Sequence, residues 1–397
     1  MELDSRTPLF FETRRERVTT RLLDSARTPA GADRNNLSLV LTGEVSTVAL
    51  LWDDGEVAVG RVGDNAAEPT VFDATLTWRA RPDLDVALNY QAGYPQNSSA
   101  AIGQRRARVD SARLEPRHAQ VSVRHARWGK LSVGKGNNAT DTLAQYDLSG
   151  TESVLHVTIA DNGGGFRLRR RDGTLSPARV VDAYPDFDGD RMTRLRYDRS
   201  LGGAFQISLS RDTEGTSEAA LRYSSGHDSS GQDSSGRGHT ARRGGARFEG
   251  GIGLRRARLD TAVLGSATAQ LLETRRGHVE AVVAGGYRWT GGGRANPDPL
   301  TLGDLRDSAY AYTKLGWRGD LWALGETTVS VDARLGRAPF AELGGSHAVG
   351  AQVAQALGTD AVHATLGVRR FVFAGGARGG AAPRNATLVQ LGTIARF

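Results

Sequence analysis

The densest group of charged side chains lies in residues 137–190, where a polar stretch carries Asp141, Asp147, Glu152 and Asp161 ahead of a basic run, Arg167, Arg169, Arg170 and Arg171. Nothing in this stretch or elsewhere makes a catalytic constellation. The chain has no GxSxG elbow, no HExxH and no Walker A lysine. Its eight histidines are scattered, and none stands at ligand spacing from an acid. What opposed acids and bases can do is electrostatic. Across a narrow, water-filled throat they orient dipolar solutes, exclude apolar ones and set an ion preference, and close charges focus the potential. The segment PDFDGDR, 185–191, sets Asp186, Asp188 and Asp190 at alternate positions, as a calcium loop does. It lacks the distal bidentate Glu such a loop needs, so a solvated turn into the next strand is the stronger reading, and no other cofactor is expected.

The elements that must position these charges read as β-strands. In WGKLSVGKGNNATDTLAQYDLSGT, 128–151, Leu131 and Val133 alternate with Ser132 and Gly134 until the strand ends at Gly136. No comparable alternation returns before Met192. A connection that long inside a compact fold signals a functional loop, and the flanking strands read as walls into which it folds. Further alternations place Phe72, Leu76, Trp78, Leu84, Val86 and Leu88 on an apolar face and Asp73, Thr77, Asp85, Asn89 and Gln91 on a polar one. The first set is expected to meet lipid and the second water. Alternation alone nominates Arg79, Arg124, Arg194, Arg196 and Lys314 as basic wall residues. Tight connections at Arg81-Pro82, Trp128-Gly129, Gly202-Gly203, Arg276-Gly277, Arg318-Gly319 and Gly358-Thr359 interleave with long ones at 95–104, 137–190, 290–308, 336–346 and 374–384. The count is about sixteen strands, with both termini at the short-turn rim.

Composition agrees with an all-β transmembrane antiparallel barrel. Fifty glycines among 397 residues sit at strand ends and turns. Apolar residues at 39% and aromatics at 7% are thin for a soluble core of this size, but suit strands with lipid on one face and water on the other. No apolar run approaches the roughly 20 residues of a membrane helix. The absence of cysteine excludes disulfides and thiol chemistry. The charge of +7 is spread through alternating strands rather than interleaved with stacking aromatics, so nucleic acid is not an expected partner. Residues 1–36 are charged and lack the apolar core of a signal peptide; they are set outside a barrel of 37–397. The Ser/Gly-rich stretch SSGHDSSGQDSSGRGHTARRGG, with its low-complexity insertion at 226–245, falls where the strand count wants a short turn. It is either an insertion or a sign that the count is off by a hairpin.

Taken together, the fragments LTGEVSTVALLWDDG, VGDN, WGKLSVGKGNNATDTLAQYDLSGT, FDGDRMTRLRYDRSLGGAFQISLS, YAYTKLGW, TTVSVDA and the terminal Phe397 make the chain resemble the Gram-negative general porins, particularly their alphaproteobacterial branch. The resemblance implies a bacterial outer-membrane homotrimer for passive diffusion of ions and small hydrophilic solutes, without enzymatic activity. In such barrels the third long loop folds inward and its acids face wall arginines, which selects Asp141 and Asp147, with Glu152 beside them. It makes Phe397 an assembly signal, and lipopolysaccharide and the outer-membrane assembly machinery partners. A barrel whose loops carry enzymatic or adhesive activity is the alternative. A slight anion preference is expected from the excess of arginine, unless the run 167–171 lies at the outer mouth and pairs with lipopolysaccharide phosphates.

Overall fold

A computed structural model describes residues 36–107, 113–225, 247–274, 276–290, 306–340, 343–375 and 382–397. Except for Asn36, the N-terminal extension 1–36 lies outside these residues, as does the insertion 226–245.

The wall is built from β1 (Leu37–Asp53), β2 (Ala58–Gly63), β3 (Val71–Arg81), β4 (Leu84–Gly93), β5 (Glu115–His125) and β6 (Gly129–Asn137). A long loop then carries the small hairpin β7 (Arg167–Arg169) and β8 (Leu175–Arg179) and the one-turn helix α1 (Val180–Ala183). The wall resumes with β9 (Arg191–Ser200), β10 (Phe205–Asp212), β11 (Ser217–Ser224), β12 (Phe248–Arg256) and β13 (Thr261–Thr274). It finishes with β14 (Gly277–Trp289), β15 (Ser308–Trp322), β16 (Gly325–Arg337), β17 (Leu343–Leu357), β18 (Thr359–Gly375) and β19 (Ala386–Arg396). Every wall pairing is antiparallel, and β19 closes the ring on β1 from Glu44↔Arg396 to Asp53↔Thr387. Among the described residues, closure leaves the wall sheet without a free edge.

The sheet has 17 strands but sixteen wall positions, because β2 and β3 pair end to end with the same β1. Between them the chain leaves the wall at Asp64 and returns at Val71, and the detour is held by Asp64, which accepts from the Thr70 amide at 2.9 Å and the Ser46 hydroxyl at 3.1 Å. Strands β11 and β12, on either side of residues 226–245 in sequence, pair directly, so the strand count stands. One turn differs from expectation. Arg318-Gly319 is not a turn: β15 runs on to Trp322 through an irregularity after Gly319, and the chain reverses at 323–324. The long-loop rim also carries short turns, after β10 and β12.

Alternation sorts the two faces, apolar side chains outward and polar ones inward. Trp78, Leu88, Val133 and Leu335 are exposed outward, while Ser208, Ser330, Lys314 and Arg334 face inward and are buried. The exception explains itself. Val48, Leu50 and Trp52 point inward from the apolar run VALLW, a pattern expected of a strand covered on both sides. The long loop covers them. Two apolar clusters lie inside the barrel, one around Trp52, Phe166, Tyr184 and Phe371, the other around Leu143, Phe187, Leu264 and Tyr310. Each large side chain buried there contributes about 1.5–3 kcal/mol.

Candidate functional site: the constriction

The loop of residues 138–190 is wedged into the barrel by hydrogen bonds that begin where it leaves β6. Asn138 donates to Asp212 at 3.0 Å, the Ala139 amide to Ser210 at 2.8 Å, and Thr140 donates through both amide and hydroxyl to Glu218 at 2.8 and 2.7 Å. From the wall, Arg194 and Arg196 donate to the Asn137 carbonyl, and buried Arg222 to that of Ala139 at 2.7 Å. The loop then crosses to the far wall. Asp147 meets Lys314 at 2.5 Å, with both side chains almost wholly buried, and the same ammonium donates to the Leu155 carbonyl at 2.8 Å. Thr151 bonds Ser330 at 2.8 Å, and the Leu155 amide donates to Gln352 at 3.0 Å.

Further along, Arg334 donates to the carbonyls of Val157 (3.2 Å) and Pro185, and lies over the ring of Tyr310 at 4.6 Å. Arg369 pairs with Asp332 at 2.8 Å beneath Val154, which presses so closely that a Cβ on Gly367 would lie 2.3 Å from its methyl. Only glycine fits there. The last stretch packs through Phe166, stacked on Trp52 at 4.7 Å, and through Tyr184, whose hydroxyl donates to the His347 carbonyl at 2.8 Å.

The nominated residues divide by height in the barrel. Asp147 and Lys314 meet directly. Asp141 is buried 3.9 Å from Arg191, and Arg194 and Arg196 stand beside the start of the loop. Glu152 is half-buried within electrostatic range of Arg396, which pairs with Glu44 at 2.9 Å and Glu68 at 2.7 Å. Arg79 and Arg124 are elsewhere: Arg79 is exposed near the short-turn rim, 3.4 Å from Asp85, and Arg124 sits opposite that same aspartate in register. Alternation gives the face of a side chain but not its height. Arg222, Arg334 and Arg369 were not nominated, although each alternates with outward-facing residues on its strand.

Two acids of the loop, Asp141 and Asp188, are not ordinary carboxylates. Burial pushes Asp141 up despite the opposing pull of Arg191 and Arg196. Asp188 is held well above the carboxylate range, first by loss of water and then by Asp186 and Asp141. Asp186 accepts from the Thr158 hydroxyl at 2.5 Å and the Asp188 amide at 2.9 Å, Asp188 accepts from the Ala144 amide at 3.0 Å, and Asp190 is exposed. Among the described residues no three His, Cys, Asp or Glu side chains form a group able to hold a metal ion, these three included.

Among the described residues, one stretch of the wall keeps its polar face half-exposed beside the loop. Asp73, Asn89, Gln91 and Gln120 on β3, β4 and β5 are half-buried, and their hydrogen bonds stay within the wall: Asn89 donates to Asp73 at 3.0 Å, Gln120 to Asn89 at 3.3 Å, and Gln120 accepts from Arg194 at 2.7 Å.

Phe397 packs its ring against Gly43, with reciprocal backbone hydrogen bonds of 2.8 and 3.0 Å between the two residues.

A closed antiparallel barrel of sixteen wall positions with an inward-folded loop is a porin-like barrel. The anion-selective porin of Comamonas acidovorans matches over 91% of this chain and 100% of its own, with a TM-score of 0.55 and 12% identity. The trimer form of OmpT, an outer membrane protein of Vibrio cholerae, matches over 91% and 100% (TM-score 0.54, 11% identity), and the outer membrane channel DcaP of Acinetobacter baumannii over 93% and 100% (0.52, 12%). No protein-family model and no curated protein matches the sequence.

Proposed function

We propose that the chain forms a water-filled channel in the bacterial outer membrane for passive diffusion of ions and small hydrophilic solutes. The observation that carries this is the asymmetry of the lumen: one side is filled by the wedged loop, while β3, β4 and β5 keep a polar, half-buried face turned inward. Such a cross-section passes hydrated solutes along the polar wall and excludes apolar ones. The loops serve as wedge and vestibule, with no catalytic role. Assembly as a homotrimer is part of the reading, in line with the trimer form of the Vibrio protein, as are lipopolysaccharide and the assembly machinery as surroundings. A slight anion preference follows from the excess of arginine and accords with the selectivity of the Comamonas neighbour. Placement in the alphaproteobacterial branch of the general porins rests on the sequence fragments. Liposomes carrying the refolded protein should swell in small sugars and progressively less in larger ones. Swelling no faster than protein-free liposomes refutes the channel.

A further inference from the structure

We propose that the β7–β8 hairpin makes the outer mouth a capture site for phosphate-bearing oligoanions, and that this patch rather than the narrowest point sets the charge preference. The inference rests on the channel reading above.

The hairpin is fixed among the long-loop-rim connections. Arg169 reaches Asp54, beyond the end of β1, at 2.9 Å with both side chains nearly buried. Gln104, from the connection after β4, accepts from the Arg167 amide and donates to its carbonyl, each at 2.8 Å. Arg384, ahead of β19, donates its amide to Arg169 at 2.7 Å and its guanidinium to the Arg171 carbonyl at 3.2 Å. Phe166 and Leu168 anchor the base in the apolar cluster.

Several basic residues deeper in the barrel are already engaged. Lys314 has Asp147, Arg369 has Asp332, Arg196 has Asp198 and Arg396 has Glu44 and Glu68, while Arg194 and Arg334 donate to carbonyls. Lys314, Arg369, Arg196 and Arg396 are thus matched by carboxylates, while Arg194 and Arg334 keep their charge and are turned onto loop and wall carbonyls. At the hairpin, Arg169, Arg179 and Arg384 are matched by Asp54, Asp182 and Glu56, and Asp172 at the tip folds onto the amide and hydroxyl of Thr174. That leaves Arg170 and Arg171 exposed at the tip, Arg170 within electrostatic range of Asp172, with Arg167 half-buried beside them and Arg105 and Arg106 exposed on the neighbouring loop. Among the described residues none of these five has a carboxylate within ion-pair distance.

A planar guanidinium donates two parallel hydrogen bonds to a phosphate. Several guanidinia on one rigid hairpin suit a ligand with several anionic oxygens better than a lone carboxylate. Screening over about 8–10 Å at physiological salt still lets neighbouring arginines act together, and a basic rim raises the local anion concentration ahead of the throat.

The test is single-channel recording of the full chain with inorganic pyrophosphate added on the long-loop side. Pyrophosphate should reduce the current. The variant R167Q/R170Q/R171Q, which leaves Phe166, Leu168 and Arg169 intact, should raise the half-blocking concentration roughly tenfold or more and shift the reversal potential in a KCl gradient toward cations. The charge-matched variant R79Q/R81Q/R127Q, at the opposite rim, should change neither. The bilayer separates the two sources of phosphate. Block that persists with lipopolysaccharide in the outer leaflet assigns the site to diffusing solutes, and block seen only in phospholipid bilayers assigns it to lipopolysaccharide phosphates, which then already fill it. If the two triple variants behave alike, the inference is overturned. A wild type without conductance instead refutes the channel reading itself.

Discussion

Lys314 on β15 and Asp147 on the inward loop meet at 2.5 Å across the lumen, and each is pinned a second time, Lys314 on the Leu155 carbonyl and Asp147 by the Ser149 amide at 2.8 Å. The pair fastens the middle of the loop to the wall across the lumen from where the loop begins. Removing one member of a buried pair strands the other charge, at a cost of about 3–5 kcal/mol. Lys314→Met should therefore lower the unfolding temperature, and its single-channel current should become larger and noisier as the loop loosens. Asp147→Asn strands the Lys314 ammonium in turn and should show both effects as well. Equal, wild-type-like traces in both variants would remove the pair from the account.

The C-terminal ring needs the absence of a side chain at position 43. A Cβ on Gly43 would lie 2.3 Å from the far end of the Phe397 ring, so Gly43→Val should displace that ring and reproduce the deletion of Phe397. In either variant, assembly into membranes of living cells should fall further than the stability of barrel refolded in detergent, because one half-exposed rim side chain contributes at most about 1.5–3 kcal/mol. Insertion at the normal rate in cells would contradict this.

Asp188 gives a pH dependence whose sign is fixed. The carboxyl of Asp188 lies well above its ordinary value of 3.8 in the folded protein, so the folded state holds that proton more tightly than the unfolded chain. Its stabilising contribution is fully present below about pH 4 and is lost as pH rises through the folded value. Asp188→Asn, which mimics the protonated acid, should gain most over wild type at neutral pH, and the gap should close on acidification. Thermal unfolding in detergent at several pH values checks it. A gap that widens toward acid reverses the assignment.

The wall register makes a labelling prediction. Phe72, Trp78 and Leu88 are exposed on the outer face, whereas Asp73 and Asn89 bond each other inside. Photoactivatable reagents dissolved in the lipid should modify the first three positions and spare the other two. Because the side-chain period is 2, a one-residue slip would exchange the sets completely.

Much of the barrel is legible from local spacing because each strand repeats the same two-faced demand, as in Phe72, Leu76 and Trp78 against Asp73 and Thr77. Failures arise where local spacing is silent. Gly319 looks like a turn but sits in an irregular stretch of a continuing strand, since the true reversal depends on Trp322 pairing with Gly325. Arg79 and Arg124 share the inward face with Arg194, but strand register sets them lower in the barrel. Arg334 and Arg369 point to loop carbonyls 177 and 215 residues away, a relation no spacing rule reports. The inward Val48, Leu50 and Trp52 did leave a trace, an apolar run too continuous for a strand with one wet face.

The central claim is that water and solutes pass along the polar face of β3–β5 beside a fixed loop. Because the chain contains no cysteine, a single one introduced at Asn89 or at its outward neighbour Leu88 reports one face at a time. During single-channel recording, a charged thiol reagent in the aqueous phase should reduce the current of Asn89→Cys and leave that of Leu88→Cys unchanged. Current loss confined to Leu88→Cys, or none at Asn89→Cys after chemical confirmation that the thiol has reacted, would contradict the account.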